Sequence, residues 1–259
     1  MINVTVNGSN TNSLSANHTF SLNITSPNNS TTTTTGTILP INISSIYGTS
    51  SNDTINQGAS STNTTIYGYD NTNTLTTRNG ADGNDTLTTG SGNDVLVGGS
   101  GFDFLTGGTG GDKFEYPLFS DSYLGTGSTN NTYDRIADYN SSQGDRIILQ
   151  TLPTALYNAG LISGSSITNL TQAATQAFLD ADPNTAGNQT LGTNQAVLFQ
   201  YGSGIIKSAY LIVNASDSSF NANNELFINV TGMNGYSSLA KGLIASNSTQ
   251  VGNYFGTSF

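Results

Sequence analysis

From Gly80 to Glu115 the chain reads in consecutive nines: Gly80–Thr88 (GADGNDTLT), Thr89–Val97 (TGSGNDVLV), Gly98–Thr106 (GGSGFDFLT) and Gly107–Glu115 (GGTGGDKFE). The fourth position is always glycine: Gly83, Gly92, Gly101 and Gly110. The sixth is always aspartate: Asp85, Asp94, Asp103 and Asp112. The eighth is apolar: Leu87, Leu96, Leu105 and Phe114. A fixed period this short points to an all-β solenoid. Six glycine-rich residues can form a tight turn, and the next three a short strand with only the apolar residue facing inward. A flexible Gly/Asp-rich linker would have no reason to keep the apolar eighth position. Two nines make one coil, so turns eighteen residues apart stack, placing Asp85 by Asp103 and Asp94 by Asp112.

Carboxylates stacked about one strand spacing apart (~4.8 Å) repel one another. A hard divalent cation removes the repulsion. Turn carbonyls plus two carboxylates supply about six oxygens, a set that suits Ca2+. The chain has no cysteine and a single histidine, His18, which argues against a zinc site.

These nines resemble the RTX, or haemolysin-type, calcium-binding repeat, with its pattern G-G-x-G-x-D-x-U-x. The resemblance implies a right-handed parallel β-roll with calcium in the turns. It also implies a ligand set in which early turn carbonyls join the sixth-position aspartate. Carried onto this chain, one site uses Gly83, Asp85, Gly98 and Asp103, and a second uses Gly92, Asp94, Gly107 and Asp112. Ala81 and Thr89 depart from the paired glycines and are expected to weaken their turns. The nine Tyr116–Leu124 (YPLFSDSYL) keeps the register, and Asp121, eighteen after Asp103, suggests a third site. Next comes Tyr133–Leu149 (YDRIADYNSSQGDRIIL), which resembles the segment that commonly follows an RTX roll. There Asp134, Asp138 and Asp145 either bind calcium or form turns paired with Arg135 and Arg146.

Three regions are expected: an uncharged β arm or amino-terminal cap (1–46), a roll (47–124, calcium core 80–124), and a mostly β carboxy-terminal cap with one helix (125–259). Residues 1–46 carry no Asp, Glu, Lys or Arg. MINVTV, TFSLNI and TILPINI alternate apolar and polar residues, as half-buried strands do. The region reads as a strand-donating arm or small β-region, with a low-complexity arm as the other reading. Residues 48–79 read as worn repeats that keep Ile55, Ile66 and Leu75 at the eighth position, with Asn73 at a sixth. Leu170–Ala181 has helical spacing and stops before Pro183, and strand-like runs follow at Ala196–Tyr201, Ala209–Val213 and Glu225–Val230. The block from Tyr210 to Gly232 resembles the closing segment of serralysin-type and cyanobacterial RTX proteins. The final tail is a candidate secretion signal, although it lacks the acidic-then-apolar ending of the protease branch.

Only 8% of residues are charged, yet the net charge is −10, with every acidic residue at or after Asp53. Such a chain does not bind nucleic acid by counterion release and is a poor partner for anionic lipid. No apolar run reaches membrane-spanning length. The amino terminus does not read as a Sec-type signal, and the resemblance implies type I export to the extracellular space or cell surface. A zinc-protease H-E-x-x-H motif needs more than one histidine, and no G-x-S-x-G elbow is present, so no enzyme is expected. The expected function is a secreted calcium-binding structural protein, self-associating by amino-terminal strand addition into a filament, surface layer or matrix. The alternative is a calcium-dependent adhesin or carbohydrate-binding module with its ligand site in the carboxy-terminal region.

Asp103 has neighbours eighteen residues away on both sides. Asp103→Ala is therefore expected to be the most damaging substitution in the repeats, read by circular dichroism as loss of calcium-induced β-structure. An unchanged response would place the ligands elsewhere.

Overall fold

The computed structural model describes residues 83–125, 133–203, 206–215 and 218–257 without a break. Nearer the amino terminus it describes 12–14, 19–25, 31–37, 45–48, 52, 54–57, 65–69 and 72–76. Glycine-rich turns leave room between them for only three or four strand residues: Thr86–Thr89, Val95–Val97, Phe104–Thr106 and Lys113–Glu115. Consecutive strands go alternately to two sheets. The first sheet runs Ser45–Tyr47, Thr65–Tyr69, Thr86–Thr89, Phe104–Thr106, Arg135–Ile136 and Leu226–Asn229, all parallel. The second runs Asn12–Leu14, Thr54–Gln57, Thr74–Thr76, Val95–Val97, Lys113–Glu115, Arg146–Ile148 and Phe255–Gly256, also parallel. This mostly β, parallel arrangement is that of a β-roll.

Register is fixed by the apolar eighth position, because a one-residue slip would turn it outward. Ile66, Leu87, Leu105 and Ile136 stack in the first sheet, and Ile55, Leu75, Leu96, Phe114 and Ile147 in the second. All are buried and join one apolar cluster. The worn repeats thus keep the inward residue, although their strands pair at spacings of twenty or twenty-one.

The nine Tyr116–Leu124 does not form a further coil. In the two preceding nines the second position is a glycine with positive φ: Gly99 at 88° and Gly108 at 87°. Here that place is Pro117, whose ring holds φ near −65° and forbids the turn. The chain instead makes a short 3-10 turn, Phe119–Asp121, and the Asp121 carboxylate accepts the Leu118 N–H at 3.0 Å. The next strand of the first sheet, Arg135–Ile136, pairs with Phe104–Thr106 only after this excursion.

The carboxy-terminal residues carry both sheets onward. Leu226–Asn229 pairs with Ile206–Val213, which pairs with Ala196–Ser203, then Leu156–Leu161 and Gly242–Ala245. The helix Leu170–Leu179 begins at Asn169, whose side chain accepts the Gln172 N–H at 2.9 Å. Its buried face, Ala173, Ala174, Ala177 and Phe178, packs with Val197, Phe199, Ile212 and Phe227 in a second cluster. The tail read as a secretion signal ends in the strand Phe255–Gly256, with Phe255 buried. Toward the amino terminus, Thr19–Thr25 pairs antiparallel with Thr31–Thr37, so TFSLNI is a strand and the threonine tract its partner. MINVTV lies outside the described residues, as does TILPINI beyond Thr37. Among the described residues no helix is long and apolar enough to cross a membrane.

Leu96 is fully buried between neighbours in the coils before and after it. Leu96→Ala is expected to lower stability in calcium by about 2–5 kcal/mol, a Tm loss of roughly 5–15 °C. Thr88→Ala, half-buried on the same short strands, should change the thermal melt far less.

Candidate metal centre

The aspartates that end each turn form two ladders. In the first, Asp103 Oδ1 accepts the Asp85 N–H at 2.8 Å, and Asp134 Oδ1 accepts the Asp103 N–H at 2.9 Å. In the second, Asp94 Oδ1 accepts the Asn73 N–H, Asp112 Oδ1 accepts that of Asp94 at 2.9 Å, and Asp145 Oδ1 that of Asp112 at 2.9 Å. The turns eighteen residues apart therefore stack in register. Asp121 is not the next member of the first ladder. Asp134, 31 residues beyond Asp103, takes that place.

Each ladder bond uses one oxygen and leaves the other. Oδ2 of Asp94, Asp103, Asp112 and Asp134 is buried with no hydrogen-bond partner, and all four residues are 0% exposed. An unsatisfied buried carboxylate oxygen is costly. Burial pushes the Asp103 carboxyl up to about 8, against the bond from Asp85, with the Asp85 and Asp121 carboxylates pushing the same way. Burial likewise raises Asp112 to about 7, opposed by the Asp94 N–H and reinforced by Asp145, Asp94 and Asp138. Asp94 and Asp145 are pushed up by burial, and Asp134 by burial and then by Asp103. The two nearby arginines make other contacts. Arg135 lies 5.2 Å over the Phe104 ring, and Arg146 donates to the carbonyls of Ser141 and Asp145.

The turns close tightly around these oxygens. Gly98 and Gly107, each first in its nine, lie so close to Oδ2 of Asp103 and Asp112 that an added Cβ would collide with the carboxylate. Gly83 and Gly92 sit one coil below, their carbonyls against Gly101 and Gly110. All expected members of the two sites are thus in neighbouring turns. Among the described residues no three acidic or histidine side chains form a cluster that could hold a metal. A cation would therefore draw on main-chain carbonyls as well, an all-oxygen set that fits calcium. When bound, it would supply the positive charge that lets the buried carboxyls stay ionised.

The other expected ligands hold main-chain N–H groups. Asp138 accepts the N–H groups of Gly107 and Gly108 at 3.1 and 2.7 Å and so clamps that turn. Asp145 is satisfied at both oxygens, Oδ2 accepting the Asn140 N–H at 2.7 Å. Thr89, expected to weaken its turn, donates its hydroxyl to the Gly107 carbonyl at 2.7 Å and links two coils. Sequence reasoning passed over the asparagines before the first two aspartates. Asn84 Oδ1 accepts the Phe102 N–H at 3.0 Å, and Asn93 Oδ1 the Gly111 N–H at 2.8 Å. Their shared place in the nines was the available signal.

The RTX calcium-binding nonapeptide repeat family matches residues 79–114 in four copies. These repeats are calcium-binding, and calcium is the cofactor of this segment. No curated protein matches the chain.

In the calcium-free folded chain the raised carboxyls keep protons that the unfolded chain loses near pH 4. The folded state then binds more protons, so stability falls as pH rises from about 4 to about 8. Calcium selects the ionised form, so its affinity should rise over the same window, with proton release. Thermal melts in chelator and calorimetry in buffers of different protonation enthalpy check both trends. A chelator profile that is flat or rises with pH would contradict this electrostatic account.

Proposed function

We propose that the chain is a secreted calcium-binding structural protein whose roll folds when calcium fills its aspartate-lined turns outside the cell. The observation that carries this reading is the set of four buried, unpartnered Oδ2 atoms in adjacent turns. Without a cation, their desolvation and the entropy of ordering glycine-rich turns oppose folding. Extracellular calcium modules have dissociation constants of about 10⁻⁴–10⁻³ M, matched to calcium outside cells. Each site filled only in the folded state adds about 1 kcal/mol when calcium is a few-fold above Kd. Several sites in stacked turns make the response steep.

Folded copies self-associate into an extracellular filament, surface layer or matrix. Support comes from the amino-terminal side of the roll. Among the described residues, Asn12–Leu14 and Ser45–Tyr47 each have a strand neighbour on one side only. A sheet edge of this kind accepts a further strand. Tyr47, 62% exposed, stacks on Tyr67 at 5.2 Å and adds apolar surface there. The reading assigns no catalytic role to any residue.

Light scattering with electron microscopy tests it, on full-length protein and on a variant lacking residues 1–46, with and without a few millimolar calcium. Ordered polymers formed only with calcium and the arm are expected. Two variants that fold on calcium yet stay monomeric would sink the assembly reading and favour a ligand-binding module.

A further inference from the structure

The first sheet, extended by the carboxy-terminal strands, begins on Ser45–Tyr47 and finishes on Gly242–Ala245. Among the described residues each of these strands has a strand neighbour on one side only. Natural sheets blunt such edges with charge, proline or a covering element. Neither strand carries a charge or a proline. The Lys241 carbonyl accepts the Asn184 side-chain N–H, so the free edge starts at Gly242. Both strands also present a large exposed apolar side chain, Tyr47 at 62% and Leu243 at 50%. Tyr47 lies ring to ring on Tyr67 of the next strand in, at 5.2 Å, and its other face points past the end of the sheet. Tyr47 and Leu243 share the sheet face opposite the roll interior. Tyr47 pairs with Tyr67, beside inward Ile66, and Leu243 with Tyr157, which packs on the helix-side cluster. The second sheet offers no match, since its last strand, Phe255–Gly256, is two residues long and Phe255 is buried.

Charge selects which ends meet. No Asp, Glu, Lys or Arg precedes Asp53 or follows Lys241, so the net charge of −10 lies wholly between them. Copies side by side would bring acidic flanks together, whereas copies end to end join uncharged segments. The two ends are not equivalent. Up to Gly125 the chain has nine acidic and two basic residues, and beyond it seven and four. Two amino-terminal ends in contact would oppose the more acidic halves; an amino-terminal end on a carboxy-terminal one does not. In sequence, the charge nearest Ser45–Tyr47 is Asp53 and the charge nearest Gly242–Ala245 is Lys241, of opposite sign. Strand direction agrees. The sheet is parallel from Ser45–Tyr47 to Leu226–Asn229, then reverses at Ile206–Val213 and again at Ala196–Ser203. It keeps direction at Leu156–Leu161 and reverses at Gly242–Ala245. A copy stacked in the same orientation therefore meets that last strand antiparallel, the slightly more stable pairing.

We propose that the Ser45–Tyr47 edge of one copy pairs with the Gly242–Ala245 edge of a second copy, setting Tyr47 near Leu243 and building head-to-tail filaments. Main-chain hydrogen bonds join the two strands and continue one sheet from copy to copy. The contact is heterologous, so the assembly stays open at both ends and each filament is polar. The inference rests on the reading that folded copies self-associate, and it names the two surfaces that do so.

Full-length Tyr47→Lys and Leu243→Lys each place a charge on one edge. Both positions are exposed, so both variants should keep the circular dichroism of the wild type in calcium. By analytical ultracentrifugation in calcium, each alone is expected to be monomeric. An equimolar mixture is expected to form dimers, because one variant keeps a free carboxy-terminal edge and the other a free amino-terminal edge. Dimers of either variant alone would mean like-to-like pairing and overturn the proposal. The chain has no cysteine, so Tyr47→Cys and Leu243→Cys, made singly, mixed and oxidised, cover a lysine variant that fails to fold. Disulfide-linked heterodimers are expected, and homodimers in greater yield overturn the contact. If wild type and both lysine variants polymerise equally, only this contact falls. If wild type stays monomeric in calcium, the assembly reading falls with it.

Discussion

One hydrogen bond, repeated, sets the geometry of this protein: an aspartate carboxylate in one turn holds the N–H of the aspartate in the turn below. It joins Asp85 to Asp103, Asp103 to Asp134, Asp94 to Asp112 and Asp112 to Asp145. The bond fixes both the vertical spacing of the turns and the direction in which each carboxylate lies. It also buries the second oxygen, because the glycine at the head of the turn leaves no side chain to fill the space. The interaction that aligns the coils is thus also the one that creates their charge problem. A calcium ion held at the oxygen that the ladder leaves would resolve it without altering the stitching.

The apolar core depends on the same alignment. A coil contributes one inward residue per strand, such as Leu87 and Leu96, and this is too little to hold a coil alone. Stacking makes continuous columns of these residues, and the carboxylate ladders keep the columns in register. The worn repeats before Gly80 show the balance shifted toward packing. Their inward residues stay buried at a looser spacing, and Asn73 stands at the foot of the second ladder in place of an aspartate. Asn73 is uncharged, so that level carries less repulsion for an ion to relieve.

The repeat core was legible because glycine, aspartate and an apolar residue each perform one physical task at a fixed place. The pairings Asp85–Asp103 and Asp94–Asp112 follow from the period alone. Asp121 keeps the spacing but not the coil, because Pro117 rules out the turn, and the ladder place falls to Asp134. The proline was readable in advance, but Asp134 was not, because an excursion of arbitrary length separates it from the column it joins. The helix Leu170–Leu179 and the strands near Ala196, Ala209 and Leu226 announced themselves by periodicity. Leu156–Leu161, Gly242–Ala245 and Phe255–Gly256 did not, since glycines interrupt their patterns and tertiary pairing alone makes them strands.

The strands that finish the roll come from far along the chain. Arg135 lies beside Asn229, and Ile147 beside Phe255. A short coil gains little until it meets an ordered edge, and non-local pairing carries a loop-closure penalty before any gain. The carboxy-terminal sheet, with an apolar cluster packed against the helix Leu170–Leu179 and a second one continuous with the roll, presents such an edge. Coils added onto such an edge one after another would order from Ile147 back toward Ile55, against the direction of synthesis. In chain order the repeats come before Leu226–Asn229 and Phe255–Gly256, the two strands against which the final coil of the roll is paired.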